Sequence, residues 1–404
     1  MIAKNQNGIH ILPVIIVAMF TLFMTCSAVA GTDPGEYVVV LLDGGGMNWQ
    51  TARGLIEEFN GHVLHVIPPS ALIGQIPLPA ERLLRQQDPE ITVVRNGDDA
   101  RWRLQQLDTA QAGRSRSTGI ASDPQRIALQ FLAPPRAPAG VLESFYTTGP
   151  DGNRVEIPFE MLHAPPVIPE VSDPRSGQRS NESTSAFLSG DIAVGVIRPE
   201  SNGTVDPNIE DWTQDEIDWT WYQMLQGNTW MAEDVAAEDI TYVYRVEGDP
   251  VGSGTVTCDY EAINYGNHNS TVTLDLMDTL GYSGATSLEA KRAWLADLKT
   301  TFGTDWAYGI FIIDFSTTGG STSSTASLGG PSIWTFNNRF AKTYRHEGGH
   351  IWGALDEYAG PADPNQNAGY TKEVNANTKT DNGEGYFSGA GEGIESVMTS
   401  GFRY

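Results

Sequence analysis

A mixed α/β (α+β) protein is expected from three features of the sequence. Between Tyr37 and Val94, apolar runs and helical patterns follow one another in the order β-α-β-β-α-β. From Ser185 onward, strand-like runs alternate with capped amphipathic helices. A Pro-rich stretch separates the two. The expected organisation is a small β-α-β-β-α-β (ferredoxin-like) domain over 31–97, a linker with some β structure over 98–184, and a larger α/β domain with a mixed sheet over 185–404. No internal repeat is found.

The chain has 404 residues, 40% of them hydrophobic and 9% aromatic, which suits one sizeable core or two. Its first thirty residues read differently. Lys4 precedes the apolar run ILPVIIVAMFTLFM (Ile11 to Met24), and Ala28-Val29-Ala30 precedes Gly31, the order of a secretory signal with an A-x-A cleavage site. The run falls short of the ~20 apolar residues that span a bilayer, so export with cleavage is expected rather than a stable membrane span. Thr25 ahead of Cys26 departs from a lipoprotein signal. Cleavage leaves Cys258 as a lone thiol, and an exported chain of this kind has no internal disulfide to staple it. The formal charge of −25, from 50 acidic against 25 basic side chains, repels phosphate backbones and makes nucleic acid an unexpected partner.

In the first domain, YVVVLLDG reads as a strand, NWQTARGLIEEFN as a helix, HVLHVIP and ALIGQIP as strands, PAERLLRQQ as a short helix and ITVV as a strand. Helices are expected on one face of a small antiparallel sheet. Asp43-Gly44-Gly45-Gly46 lacks the spacing and lysine of a phosphate loop and reads as a turn. The segment GHVLHVIPPSALIGQIP resembles the inhibitory propeptide domains of secreted subtilisin-like proteases. That resemblance implies a prosegment (zymogen) or folding-chaperone role, although no subtilisin motif follows.

In 98–184, APPRAPAG and HAPPVIPEVSDPRSGQRSNES flank a hairpin signal at TTGPDGN, and Arg175 and Arg179 form a candidate processing site. After Ser185, SAFLSGDIAVGVI is strand-like. Thr213 with Glu216 makes a capping box for a helix that carries Ile217, Trp221, Met224 and Leu225 inward. ITYVYRV is a strand. Thr286 with Glu289 caps a helix with Leu288, Trp294, Leu295 and Leu298, and WAYGIFIIDF is a buried strand. A Gly/Ser/Thr-rich loop leads to PSIWTF, and Asn337 or Asn338 is the expected cap of the next helix.

That helix carries RHEGGHIWGALDEY (345 to 358). Residues four apart share a helix face, so His346 and His350 can point imidazole nitrogens at one ion, with Glu347 beside them to take a proton from metal-bound water. In a chain with only 7 histidines, two histidines and a glutamate in this register argue against coincidence. Were the helix to continue at ~1.5 Å per residue, position 356 would lie roughly 15 Å along the axis from His346, too far to share its metal. Gly353 supplies the stop, because glycine adopts the left-handed conformation that ends helices, and Asp356 can then return to the ion. Glu357, or a distant glutamate such as Glu373 or Glu395, is the competing third ligand; a distant glutamate leaves Gly353 without a role. Gly348 and Gly349 each cost ~1 kcal/mol relative to alanine in a helix, so a close neighbour is expected there, either a turn at Met398 or the adjacent sheet.

HEGGHIWGALD, from His346 through Asp356, resembles the H-E-x-x-H-x-x-G-x-x-H/D signature of the metzincin clan of zinc metallopeptidases, in the aspartate variant of snapalysin-like bacterial proteases. Ser396-Val397-Met398-Thr399-Ser400 resembles the clan's methionine turn beneath the metal, with Ser400 where several members have a tyrosine. The resemblance implies a zincin catalytic domain and a secreted zinc endopeptidase acting on polypeptides. It also implies a cleft along an edge strand resembling PSIWTF, where Trp334 is expected either to line the cleft or to pack in the core. One catalytic zinc is expected, held by His346, His350 and Asp356, with Glu347 as general base. Calcium in loops such as DPNQN or TKTDNGEG suits the acidity, though no EF-hand spacing appears. The remaining readings are an exported zinc-binding or adhesion protein without catalysis, and a zinc hydrolase of non-peptide bonds. His62, His65, His163 and His268 lack matching carboxylate spacing and read as structural or surface residues, and Cys258 as a packed thiol.

Overall fold

The computed structural model describes residues 36–42, 46–112, 123–138, 146–148, 154–156, 185, 187–208, 211–235, 238–248, 254–262, 270–314, 324–354, 367–368 and 373–374. The amino-terminal segment forms β1 (Val38–Leu41), α1 (Trp49–Glu58), β2 (His62–Ile67), β3 (Ala71–Gln75), α2 (Leu78–Gln87) and β4 (Thr92–Val94). α1 starts where the Asn48 side chain accepts the Thr51 N–H at 2.8 Å, and α2 starts at Pro77, with Pro79 in a first turn that needs no donor. Ala52, Ile56, Ala80 and Leu84 face Val38, Val40, Val63 and Leu72 across one apolar layer. β1 lies antiparallel between β3 and β4, and β3 is antiparallel to β2.

The stretch expected to be a linker instead opens with two helices, α3 (Gly97–Ala112) and α4 (Pro124–Leu132), ahead of a hairpin, β5 (Tyr146–Thr148) with β6 (Arg154–Glu156). α4 escapes a periodicity reading because it is short and bounded by prolines. It is capped by Asp123, whose carboxylate accepts the Gln125 N–H at 2.9 Å, and it buries Ile127, Ala128, Leu129 and Phe131.

The carboxy-terminal segment contributes β7 (Asp191–Ile197), β8 (Pro199–Ser201), α5 (Gln214–Asp234), β9 (Thr241–Val246), β10 (Val256–Cys258), α6 (Thr271–Thr279), α7 (Ser287–Phe302), β11 (Trp306–Ile313), β12 (Thr325–Ala326), β13 (Ser332–Phe336), α8 (Ala341–Ile351), β14 (Asn367–Ala368) and β15 (Glu373–Val374). Both expected capping boxes form, at Thr213/Glu216 and Thr286/Glu289. β7 runs parallel to β9 and β11, β11 parallel to β13, and β12 closes that side antiparallel to β13.

The residue-97 and residue-185 boundaries do not interrupt the sheet. β2 pairs parallel with β9 (His65 opposite Tyr242, Val66 opposite Val243), giving nine strands in the order β12-β13-β11-β7-β9-β2-β3-β1-β4. One apolar cluster runs through both segments and includes Leu64, Ile73, Ile127 and Phe131 with Trp221, Met224, Tyr244, Tyr308, Tyr344 and Ile351. On the other face, Trp294, Leu295 and Leu298 of α7 pack with Phe311 and Trp334. The described helices include none long and apolar enough to cross a membrane.

Candidate metal centre

α8 carries the histidines, and α5 positions α8. Gly227 of α5 has no room for a side chain: a Cβ there would lie 2.6 Å from the Ala341 carbonyl oxygen and 2.7 Å from Tyr344 Cβ. Four residues on in α5, Met231 packs onto α8, where a Cβ on Gly348 would sit 2.9 Å from Met231 Cε. Among the described residues the close neighbour of Gly348 is therefore a helix rather than the adjacent sheet, and the Met398 turn lies outside them. At the far end of α5, Asp234 accepts from Arg345 Nε at 2.9 Å.

The start of α8 also differs from expectation. Phe340 is the N-cap residue, and the Ala341 N–H donates to Gln223 Oε1 of α5 at 2.8 Å. Neither Asn337 nor Asn338 is the cap of α8; Asn337 serves elsewhere. Its Nδ2 donates to Asp314 Oδ1 at 2.5 Å and Glu216 Oε1 at 3.1 Å, tying the ends of β13, β11 and α5 together.

His346 and His350 come together on α8, fully buried, with ring centroids 4.8 Å apart and planes at 84°. α8 then stops at Gly353, whose φ is +91°. The Gly353 N–H donates to His350 O at 2.9 Å and the Ala354 N–H to Gly349 O at 3.0 Å, the paired bonds of a glycine-terminated helix. This turn brings the Ala354 carbonyl oxygen 2.8 Å from His350 Nδ1. A carbonyl only accepts, so Nδ1 holds the proton and Nε2 carries the lone pair, the tautomer a metal ligand needs. The glycine that ends the helix thus also orients the second histidine.

Glu347 is fully buried and interacts electrostatically with the guanidinium of Arg339. Burial lowers the Arg339 pKa to about 10, against the opposing pull of Glu347 and then Tyr344. Sequence reasoning missed Arg339, Gln223 and the Ala354 carbonyl, because each reaches the site through tertiary packing or through a backbone atom.

Of the two expectations for Trp334, core packing holds and cleft lining does not. Trp334 is 2% exposed and stacks on Phe311 with centroids 4.4 Å apart. Strand alternation turns it toward α7, while Ile333 faces the α8 side. Nor is β13 an edge strand, since β12 covers it. The Cys258 thiol is packed, donating to Tyr260 O at 3.0 Å, and burial pushes its pKa up to about 12. His62 pairs with Asp239 at 2.9 Å, and His65 is fully buried.

Asp356, Glu357, Glu395, Met398, His163, His268, Arg175, Arg179 and the expected signal lie outside the described residues, as do most of the two candidate calcium loops; the backbone of Glu373 lies in β15. Among the described residues, no group of three or more His, Cys, Asp or Glu side chains is placed to hold a metal. The described pair supplies two imidazole nitrogens at helical spacing, a donor type that suits zinc better than calcium. The chain was compared with family models, curated proteins and solved structures, and none of them matches.

Proposed function

We propose that the chain is an exported, metzincin-like zinc endopeptidase, a hydrolase in which α8 holds the metal through His346 and His350. The observation that carries this reading is the turn at Gly353. It follows Trp352, the C-cap of α8, and places the Ala354 carbonyl to accept from His350 Nδ1, giving the ring the tautomer of a ligand. Asp356, three residues past the turn, is the proposed third ligand. Bound zinc would polarise a water and the scissile carbonyl. Glu347, one residue from His346, accepts the proton of that water and returns it to the leaving amine. The guanidinium of Arg339 interacts electrostatically with this carboxylate.

The test separates this reading from a non-catalytic zinc protein and from a hydrolase of other bonds. Purified protein is offered an unfolded protein, peptides and esters, with and without a chelator. Peptide-bond cleavage that the chelator removes and zinc restores is expected. Glu347→Gln should keep one zinc per chain and lose at least ~100-fold in rate, the lower range of general-base catalysis. Undiminished cleavage by Glu347→Gln overturns the general-base role. Zinc binding without any hydrolysis overturns the enzyme.

A further inference from the structure

One buried hydrogen-bonded chain joins the amino-terminal segment to α5, β9 and β11, a ring contact carries it on to the C-cap of α8, and the direction of every proton in it follows from the acceptors. The Leu225 carbonyl accepts the Thr229 hydroxyl at 2.8 Å, so Thr229 Oγ1 accepts from His65 Nε2 at 2.8 Å. His65 Nδ1 is then an acceptor and takes the Tyr244 hydroxyl proton at 3.0 Å. Tyr244 accepts from Asn228 Nδ2 at 2.9 Å, and Asn228 Oδ1 accepts from the Tyr308 hydroxyl at 3.0 Å. Tyr308 meets the ring of Trp352, next to Gly353, edge-on at 6.0 Å.

Three successive residues of α5 therefore face two ways. Gly227 touches α8, while Asn228 and Thr229 grip His65 and its partners from β2, β9 and β11. Two further clamps cross the same boundary. Arg53 holds Asp191 with both terminal nitrogens at 2.7 and 2.8 Å, and Arg126 of α4 holds Asp218 of α5 through Nε and Nη2 at 2.9 and 2.6 Å. Departure of the first segment would bare the edge of β9 and the apolar faces now covered by Leu64, Ile127 and Phe131, and would strip Thr229 and Tyr244 of a partner.

We infer that residues 36–133 are a permanent part of the catalytic unit rather than a prosegment that leaves, and that His65 is a positioning residue for α8, acting through α5. The co-elution arm stands by itself, while the zinc and activity arms rest on the proposed metal site and peptidase. A specific protease sequence is inserted into the full chain between Pro138 and Ser185, and the protein is cut to completion. Both pieces should co-elute in native size-exclusion chromatography, with zinc content unchanged and any peptidase activity within about twofold of the uncut chain. Separation of the pieces, with zinc or activity kept by the carboxy-terminal one, overturns the inference. Co-elution without hydrolysis leaves it standing and counts against the peptidase alone.

In the intact chain, His65→Ala should weaken zinc binding about tenfold in chelator competition and lower kcat more than it raises KM. His65→Gln, which can still donate to Thr229, should recover part of both. If His65→Ala lowers only the melting temperature and leaves zinc affinity intact, the positioning role is refuted.

Discussion

The seating of α8 on α5 makes Gly227→Ala the most direct probe of the site's scaffold. The added methyl would lie 2.6 Å from Ala341 O, 2.7 Å from Tyr344 Cβ and 3.2 Å from Arg345 N. Carbon atoms pack best at about 3.5–4.0 Å, so α8 must retreat by roughly 1 Å. Two of the three opposing atoms belong to the α8 backbone, and no rotamer change relieves them. Overpacking of this kind costs about 1–3 kcal/mol. Alanine returns about 1 kcal/mol through its better helix propensity. A net loss of up to about 2 kcal/mol is therefore expected, visible as a lower urea midpoint at unchanged slope. Because α8 moves relative to the turn at Gly353, zinc affinity in chelator competition should fall by about tenfold, the lower range for disturbing a ligand's supporting contacts. Gly348→Ala is the internal control. Its methyl meets only the end of the flexible Met231 side chain, at 2.9 and 3.0 Å, so relief is cheap and the helix gain of up to about 1 kcal/mol survives. If Gly227→Ala is as stable as the wild type, α5 and α8 do not meet through this glycine and the placement of the histidines must be redrawn.

Gly353→Ala should cost about 1–2 kcal/mol at φ +91° and loosen the Ala354 carbonyl from His350, lowering zinc affinity about 10-fold or more; unchanged affinity in chelator competition refutes the orienting role. Burial, and secondarily the charge of His62, depresses the His65 pKa to about 3. The unfolded chain binds this proton near pH 6.5, so the neutral ring's contribution is complete above that value. It is lost as pH falls from 6.5 toward 3, by about 1.4 kcal/mol per unit and roughly 5 kcal/mol in all. Urea midpoints between pH 7 and 4.5 should therefore drop more steeply for the wild type than for His65→Gln, and parallel profiles exclude His65 as a source of acid sensitivity. Asp234→Ala, which removes the partner of Arg345, should cost more than a surface ion pair because Arg345 is buried; a loss under about 0.5 kcal/mol in urea unfolding denies it a part in docking α8.

Much of the chain declared itself locally. The Thr213/Glu216 and Thr286/Glu289 boxes depend on residues within one turn, and both form as their spacing predicts. Long apolar runs such as WAYGIFII became central strands because alternation and length leave few other fates. What failed were short elements whose stability comes from neighbours. α4 is bounded by prolines and held by both α5 and the first strands, and β12 is two residues long inside a Gly/Ser/Thr-rich loop. Asn337 looked like a cap and instead joins three elements, since its partners Asp314 and Glu216 are remote in sequence.

The same division holds for the site. Helical period alone determined that His346, Glu347 and His350 share one turn of α8, and the need for positive φ determined that a glycine, Gly353, ends it. These are properties of a few consecutive residues, which a sequence states directly. Only the tertiary structure decided that α5 presses against α8 through Gly227, that Arg339 lies near Glu347, and that Trp334 belongs to the core behind the sheet. It also decided that His65, far along the chain, is locked to α5. The pairing of β2 with β9 and the meeting of His65 with Thr229 join residues more than a hundred positions apart, and that proximity exists only once one sheet and one core have closed around both.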